Sequence, residues 1–141
     1  MEAAPAVAAA AIFLWLGMVL AISFVEAPLK FRAPGVTLQI GLGIGRLVFR
    51  ALNGCELALA AVVAASFAIR PPGITIGVPA AVAAVTLLVQ VLLVRPRLAR
   101  RSDAVLAGDD GPRSHAHWAY IGLEAVKVIG LLIAGISMLA T

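Results

Sequence analysis

Residues 7–27 read VAAAAIFLWLGMVLAISFVEA, and this run decides the fold. It carries one charge, Glu26, and reaches that charge only at its end. A helix needs about 20 mainly apolar residues to cross a hydrocarbon core of about 30 Å. Three further apolar stretches follow, at residues 42–69, 78–94 and 118–139. The third is the shortest, so it is expected to stand nearly upright or to draw its flanks into the interface. A mean hydropathy of +1.06 with 62% hydrophobic residues has no soluble-domain explanation at this length. The sequence predicts an all-α membrane protein, a bundle of four transmembrane helices forming one domain over residues 1–141.

The basic residues fix the expected topology. An isoelectric point near 10.2 would suggest nucleic acid in a soluble protein. Here the cations flank spans, which points to topology and anionic headgroups at the cytoplasmic face, and not to nucleic acid. Lys30, Arg32 and Arg46 bracket the first loop, and Arg95, Arg97, Arg100, Arg101 and Arg113 crowd the third. The second loop has only Arg70, beside Pro71-Pro72-Gly73. Loops one and three are therefore expected in the cytoplasm, with both termini outside a multi-pass inner (plasma) membrane protein. The N-terminus, Met1-Glu2-Ala3-Ala4-Pro5, lacks the positive region of a signal peptide, so the first stretch is expected to remain as a helix. Cys55 is the only cysteine, which excludes an intramolecular disulfide and a cysteine-based metal cluster.

The two hairpins, about residues 7–69 and 78–139, resemble each other at a constant offset of 68 positions. Pro28 matches Pro96, Arg32 matches Arg100, Gly43 matches Gly111, and Ala51 matches Ala119. Gly54-x-Glu56 matches Gly122-x-Glu124. Chance alignment covers the Ala and Arg matches easily, and the two embedded glutamates less easily. A hairpin repeated in the same orientation implies a pseudo-two-fold axis along the membrane normal.

Each helix carries a polar stripe toward its basic end. At 100° per residue Ser23, Glu26 and Lys30 share a face of the first helix. Arg46, Arg50 and Asn53 share a face of the second, with Glu56 about a sixth of a turn away. Thr86 and Gln90 stack on the third helix; His117, Tyr120, Glu124 and Lys127 fall within about 80° on the fourth. A charge at such depth costs about 2.5–3.5 kcal/mol. The stripes are therefore expected to face one another. Glu26, Glu56 and Glu124 balance Lys30, Arg50 and Lys127. Glu26 with Lys30 and Glu124 with Lys127 have the spacing of intrahelical pairs. Glu56 then needs Lys127 or Arg50.

Other motifs say less. Gly41-Leu42-Gly43-Ile44-Gly45-Arg46 lacks the preceding strand and the Lys-Ser/Thr ending of a phosphate loop. Two readings remain: an anion site at the N-termini of helices two and four, the latter capped by Ser114, or glycines that let helices approach closely. His115 and His117 point about 160° apart on a helix, so they cannot chelate one metal as a pair. His117 as a haem ligand competes with a plain interfacial group. Gly54, Ala58, Ala61 and Ala65, with Gly130 and Gly135, read as close-packing surfaces that also suit self-association. No nucleophile–base pair stands out, so the sequence leans away from an enzyme.

The segment Glu26-Ala27-Pro28-Leu29-Lys30-Phe31, with Leu16-Gly17 before it and Gly45-Arg46-Leu47-Val48-Phe49 after it, resembles a group of small bacterial four-span membrane proteins. Pro96, Leu98, Arg101, Ala107-Gly108, Ser114, His117, Tyr120, Glu124 and Lys127 are similar to that group's second half. The group in turn looks distantly like the eukaryotic small transmembrane protein associated with cisplatin resistance. The resemblance implies four spans and carries no established activity.

Three functions fit these residues. The first is transport or binding of a small ligand, an anion among the candidates, at a charged site in the cytoplasmic half of the bundle. Its residues would be Glu26, Lys30, Arg46, Arg50, Asn53, Glu56, His117, Tyr120, Glu124 and Lys127. The second is an accessory subunit of a larger membrane complex, or a homo-oligomer. The third is a haem- or quinone-linked membrane enzyme using His117 and Tyr120.

Overall fold

The computed structural model describes residues 2–107 and 115–141 and is all-helical there, with no strands. Four helices are long and apolar enough to cross a membrane. They are α1 (Ala3–Arg32), α2 (Leu38–Ile69), α3 (Ile74–Ala104, with helical turns continuing to Leu106) and α4 (His115–Leu139). Arg113, Ser114, Gly108, Gly111 and the side chain of His115 lie outside the described residues.

Local chemistry sets the boundaries. Gly35 takes a positive φ of 82°, which a side chain would resist, and turns the chain between α1 and α2. Thr37 then caps α2, its hydroxyl accepting from the Ile40 amide at 3.2 Å. Pro71 and Pro72 end α2, and α3 starts after Gly73.

Two helices change pitch near their basic ends. α1 is a π-helix over Leu20–Glu26, where the Ala27 amide donates to the Ile22 carbonyl. α3 is a π-helix over Gln90–Val94, where the Arg95 amide donates to the Gln90 carbonyl. One residue after each wide turn comes a proline, Pro28 or Pro96, which supplies no amide to continue the ladder.

In a bilayer such apolar helices would gain nothing from hydrophobic burial against one another, so close packing would have to hold them. α1 packs on α2, α3 on α4, and α1 on α4; α2 and α3 meet far less. The half remote from the basic ends is a small-residue core around Ala8, Ile12, Ala83, Leu131 and Ala134. Gly130 brings α4 onto the α3 backbone, and Gly135 receives the Phe13 ring. Those two glycines pack as expected. Gly54, Ala58, Ala61 and Ala65 do not: all four are exposed on the outer face of α2.

The helix that carries the third apolar stretch runs well beyond it. Its flank stays helical, so Arg95, Arg97, Arg100 and Arg101 lie on the last turns of α3 and not in a loop. This follows from composition: Arg, Ala and Leu are good helix formers, and Pro96 sits in the first turn of the new segment. Arg46 on α2 pairs with Asp103 on this extension at 2.7 Å. At the opposite end Glu2 pairs with Arg70.

Candidate functional site

α2 contributes Glu56 and α4 contributes Glu124 and Lys127, and the bundle brings all three together. Lys127 Nζ lies 2.5 Å from Glu56 Oε2 and 2.5 Å from Glu124 Oε1. It donates a third bond to Gln90 Oε1 on α3 at 2.7 Å. An ammonium has three N–H groups, and all three are used. Gln90 Nε2 donates onward to Glu124 Oε1 at 3.2 Å. From α1, Ser23 donates to Glu124 Oε2 at 2.5 Å and Trp15 Nε1 donates to Glu56 Oε2 at 2.8 Å. Glu56, Gln90 and Lys127 have 0% exposure, and Glu124 and Trp15 have 1%. Every helix thus contributes to one network sealed from its surroundings. At 1.5 Å per residue Glu56 lies about 20 Å from Ile69, and Lys127 about 18 Å from Leu139.

A second layer covers the network on the basic side. Buried Tyr120 accepts from Arg95 Nη2 through its hydroxyl at 3.2 Å, and the Arg95 guanidinium lies 5.0 Å over its ring. Phe49 meets Tyr120 edge-on at 5.8 Å and takes Arg95 at 5.3 Å and Lys30 at 5.7 Å on its ring. Such cation–π contacts are worth more where water is scarce. Asn53, with its amide oxygen turned to the guanidinium, accepts from Arg95 Nη2 at 3.1 Å and Nε at 3.2 Å. The Asn53 amide also lies 3.4 Å from the Tyr120 hydroxyl.

Of the residues expected at the site, Asn53, Glu56, Tyr120, Glu124 and Lys127 come together. Glu124 with Lys127 forms its intrahelical pair, and Lys127 supplies the partner of Glu56. Glu26 and Lys30 form a separate pair at 3.9 Å, further toward the basic end. The Glu26 Oε2 atom there is buried without a hydrogen bond. Arg46 belongs to the exposed pair with Asp103. His117 is half-buried and meets Trp118 edge-on at 5.6 Å.

Arg50 is a correction: it is exposed and points away from the network. On a helix it lies about 120° from Glu56, so the two cannot face one interior. Arg95 occupies the inner position that charge balance had given to Arg50. Trp15 and Arg95 are the site residues that sequence reasoning missed, while Gln90 and Ser23 were read as polar-stripe residues but not carried into the candidate site. A tryptophan in mid-span, away from the interfacial belts, is the one signal that marked Trp15. Thr86 stacks beside Gln90 in sequence, yet it bonds its own Val82 carbonyl at 2.7 Å.

Two glycines of the glycine-rich segment are packing positions, whereas Gly43 has nothing within 4 Å of a Cβ. A Cβ on Gly41 would strike the Phe31 ring at 2.1 Å, and one on Gly45 would meet Lys30 Nζ at 3.0 Å. These glycines seat the end of α1 on α2. Among the described residues no group of three or more His, Cys, Asp or Glu side chains has the arrangement to hold a metal.

The fold and site define an all-helical protein with four helices long and apolar enough to span a membrane, around a buried carboxylate–ammonium cluster. Comparison with family models, curated proteins and solved structures finds no match.

Proposed function

We propose that this protein is a small membrane transport or ligand-binding protein whose internal site is the Glu56–Lys127–Glu124 cluster with Gln90. One observation carries the reading: two carboxylates lie 2.5 Å from a single ammonium, with no exposure to compensate them. Ionisable groups inside a span are expensive and default to function. The formal charge of the three groups is one negative, which favours a proton or small cation over the anion that the loop arginines suggested. Arg95 stands one layer out, held by Tyr120 and Asn53 and not bonded to either carboxylate, so the excess negative charge stays with the cluster.

The π segments support a paired architecture. Ala27 to Ile22 and Arg95 to Gln90 are wide-turn bonds at the same offset of 68 residues that relates the two hairpins. Ser23 and Gln90, which hold the cluster from α1 and α3, lie within those segments. π-bulges are frequent at functional sites. The likeness to small bacterial four-span proteins is part of the same reading.

The test is ion flux. Protein in vesicles loaded with a pH-sensitive dye should dissipate an imposed proton gradient faster than protein-free vesicles. A folded Glu124→Gln/Lys127→Met double variant should not. Equal dissipation by both proteins would remove proton transport from the reading.

The orientation is a second prediction. In a Cys55→Ser background, Thr75→Cys should label from outside intact cells with an impermeant thiol reagent, and Ser102→Cys only after the membrane is opened. Labelling of position 102 from outside would reverse the topology.

A further inference from the structure

Arg50 is exposed on α2, and among the described residues it has no hydrogen-bond or ion-pair partner. Its depth is set by helix geometry. Arg50 lies about 28 Å from Ile69, the thickness of a hydrocarbon core. The other helices give the same level independently: Arg95 is about 31 Å from Ile74, and Trp118 about 31 Å from Leu139. Arg50 therefore stands at the headgroup boundary, on the outside of the bundle, where its counter-charge must come from another molecule.

The surface below it has a particular relief. Arg46, Arg50, Gly54 and Ala58 follow one another at steps of four residues, drifting only about 40° each time, and Ala61 returns to the same line. All five are exposed. A Cβ on Gly54 would meet nothing in the protein. Leu57 and Val62, each 40% exposed, rise on either side of this line. The small side chains thus form a low apolar strip between two larger ones, running along α2 from Arg50 toward Ile69. Ala61 lies about 16 Å below Arg50, the depth of one leaflet.

We propose that this face of α2 binds an anionic phospholipid, with its phosphate at Arg50 and one acyl chain along Gly54, Ala58 and Ala61. Arginine suits the phosphate because its planar fork donates two parallel bonds to it. Small side chains suit the acyl chain because lipid contact inside a bilayer depends on close packing alone. The site is separate from the internal cluster and does not depend on transport.

Copurified lipid tests the proposal. Protein reconstituted in vesicles of equal phosphatidylglycerol and phosphatidylcholine is re-extracted in mild detergent, and the retained lipid is quantified. Wild type should retain phosphatidylglycerol preferentially. Arg50→Gln should lower that preference about tenfold, the effect of losing a charge-assisted bond. Arg50→Lys should keep only part of it, because an ammonium holds the charge but not the fork, and Ala61→Phe should reduce retention of both lipids. Melting of Arg50→Gln should match wild type, since the side chain is outside the packed interior. Equal phosphatidylglycerol retention by wild type and Arg50→Gln overturns the proposal. So does complete displacement of the lipid by millimolar glycerol phosphate, which would make the site a headgroup site alone. High-yield disulfide dimers of Ala61→Cys in a Cys55→Ser background would assign the face to a second copy instead.

Discussion

Lys127→Met should lower the unfolding free energy by about 3–5 kcal/mol, because it leaves buried charge without its partner. The ammonium is bonded to Glu56, Glu124 and Gln90, all at most 1% exposed. Its removal leaves two carboxylates turned toward each other in a low-dielectric interior, where their repulsion is poorly screened. A second change, Glu124→Gln, removes one of the two charges and should recover part of the loss. Glu56 then keeps the Trp15 indole as a donor. Thermal melting in detergent measures all three proteins. If Lys127→Met melts with wild type, the cluster contributes nothing to stability and the internal site loses its foundation. The double variant also separates two roles. A cluster that only fixes helix register should keep any activity once folding is restored, whereas a transport site should not.

Gly130→Val should cost about 1–3 kcal/mol, the usual penalty of overpacking. A Cβ at this position would lie 2.8 Å from the Pro79 carbonyl oxygen and 3.6 Å from the Ala83 Cβ. Backbone cannot rotate aside as a flexible side chain can, so α3 and α4 must separate. Those two helices also hold Gln90 against Lys127, so the damage should reach the cluster. Gly122→Val is the control, because nothing lies within 4 Å of a Cβ there. It should melt near wild type. Comparable losses at both positions would show that glycine acts through the helix backbone and not through contact between helices.

Much of this architecture was legible from composition and periodicity. Four apolar stretches, the third lengthened by its flank, read as four helices, because a segment meant for lipid must satisfy its own backbone hydrogen bonds. The cost of buried charge also pointed Glu56, Glu124 and Lys127 inward before any geometry was known. The i, i+3 and i, i+4 pairs were readable for the same reason, since both partners lie on one helix.

Which side chains meet across helices was decided only by the tertiary structure. Periodicity orders residues around their own helix axis but does not say how that helix is rotated against its neighbours. Arg50 and Asn53 read as one stripe, yet only Asn53 turns inward. The π segments add a second reason. A turn closed from residue i to i+5 shifts the phase of everything after it, so 100° per residue no longer gives the direction of Arg95. Trp15 could not be assigned to Glu56 for the same cause: the pair is 41 residues apart, and only the packing of α1 on α2 joins them. The sequence by itself determined that charge must be buried here; the rotation and the two wide turns of the helices determined which groups receive it.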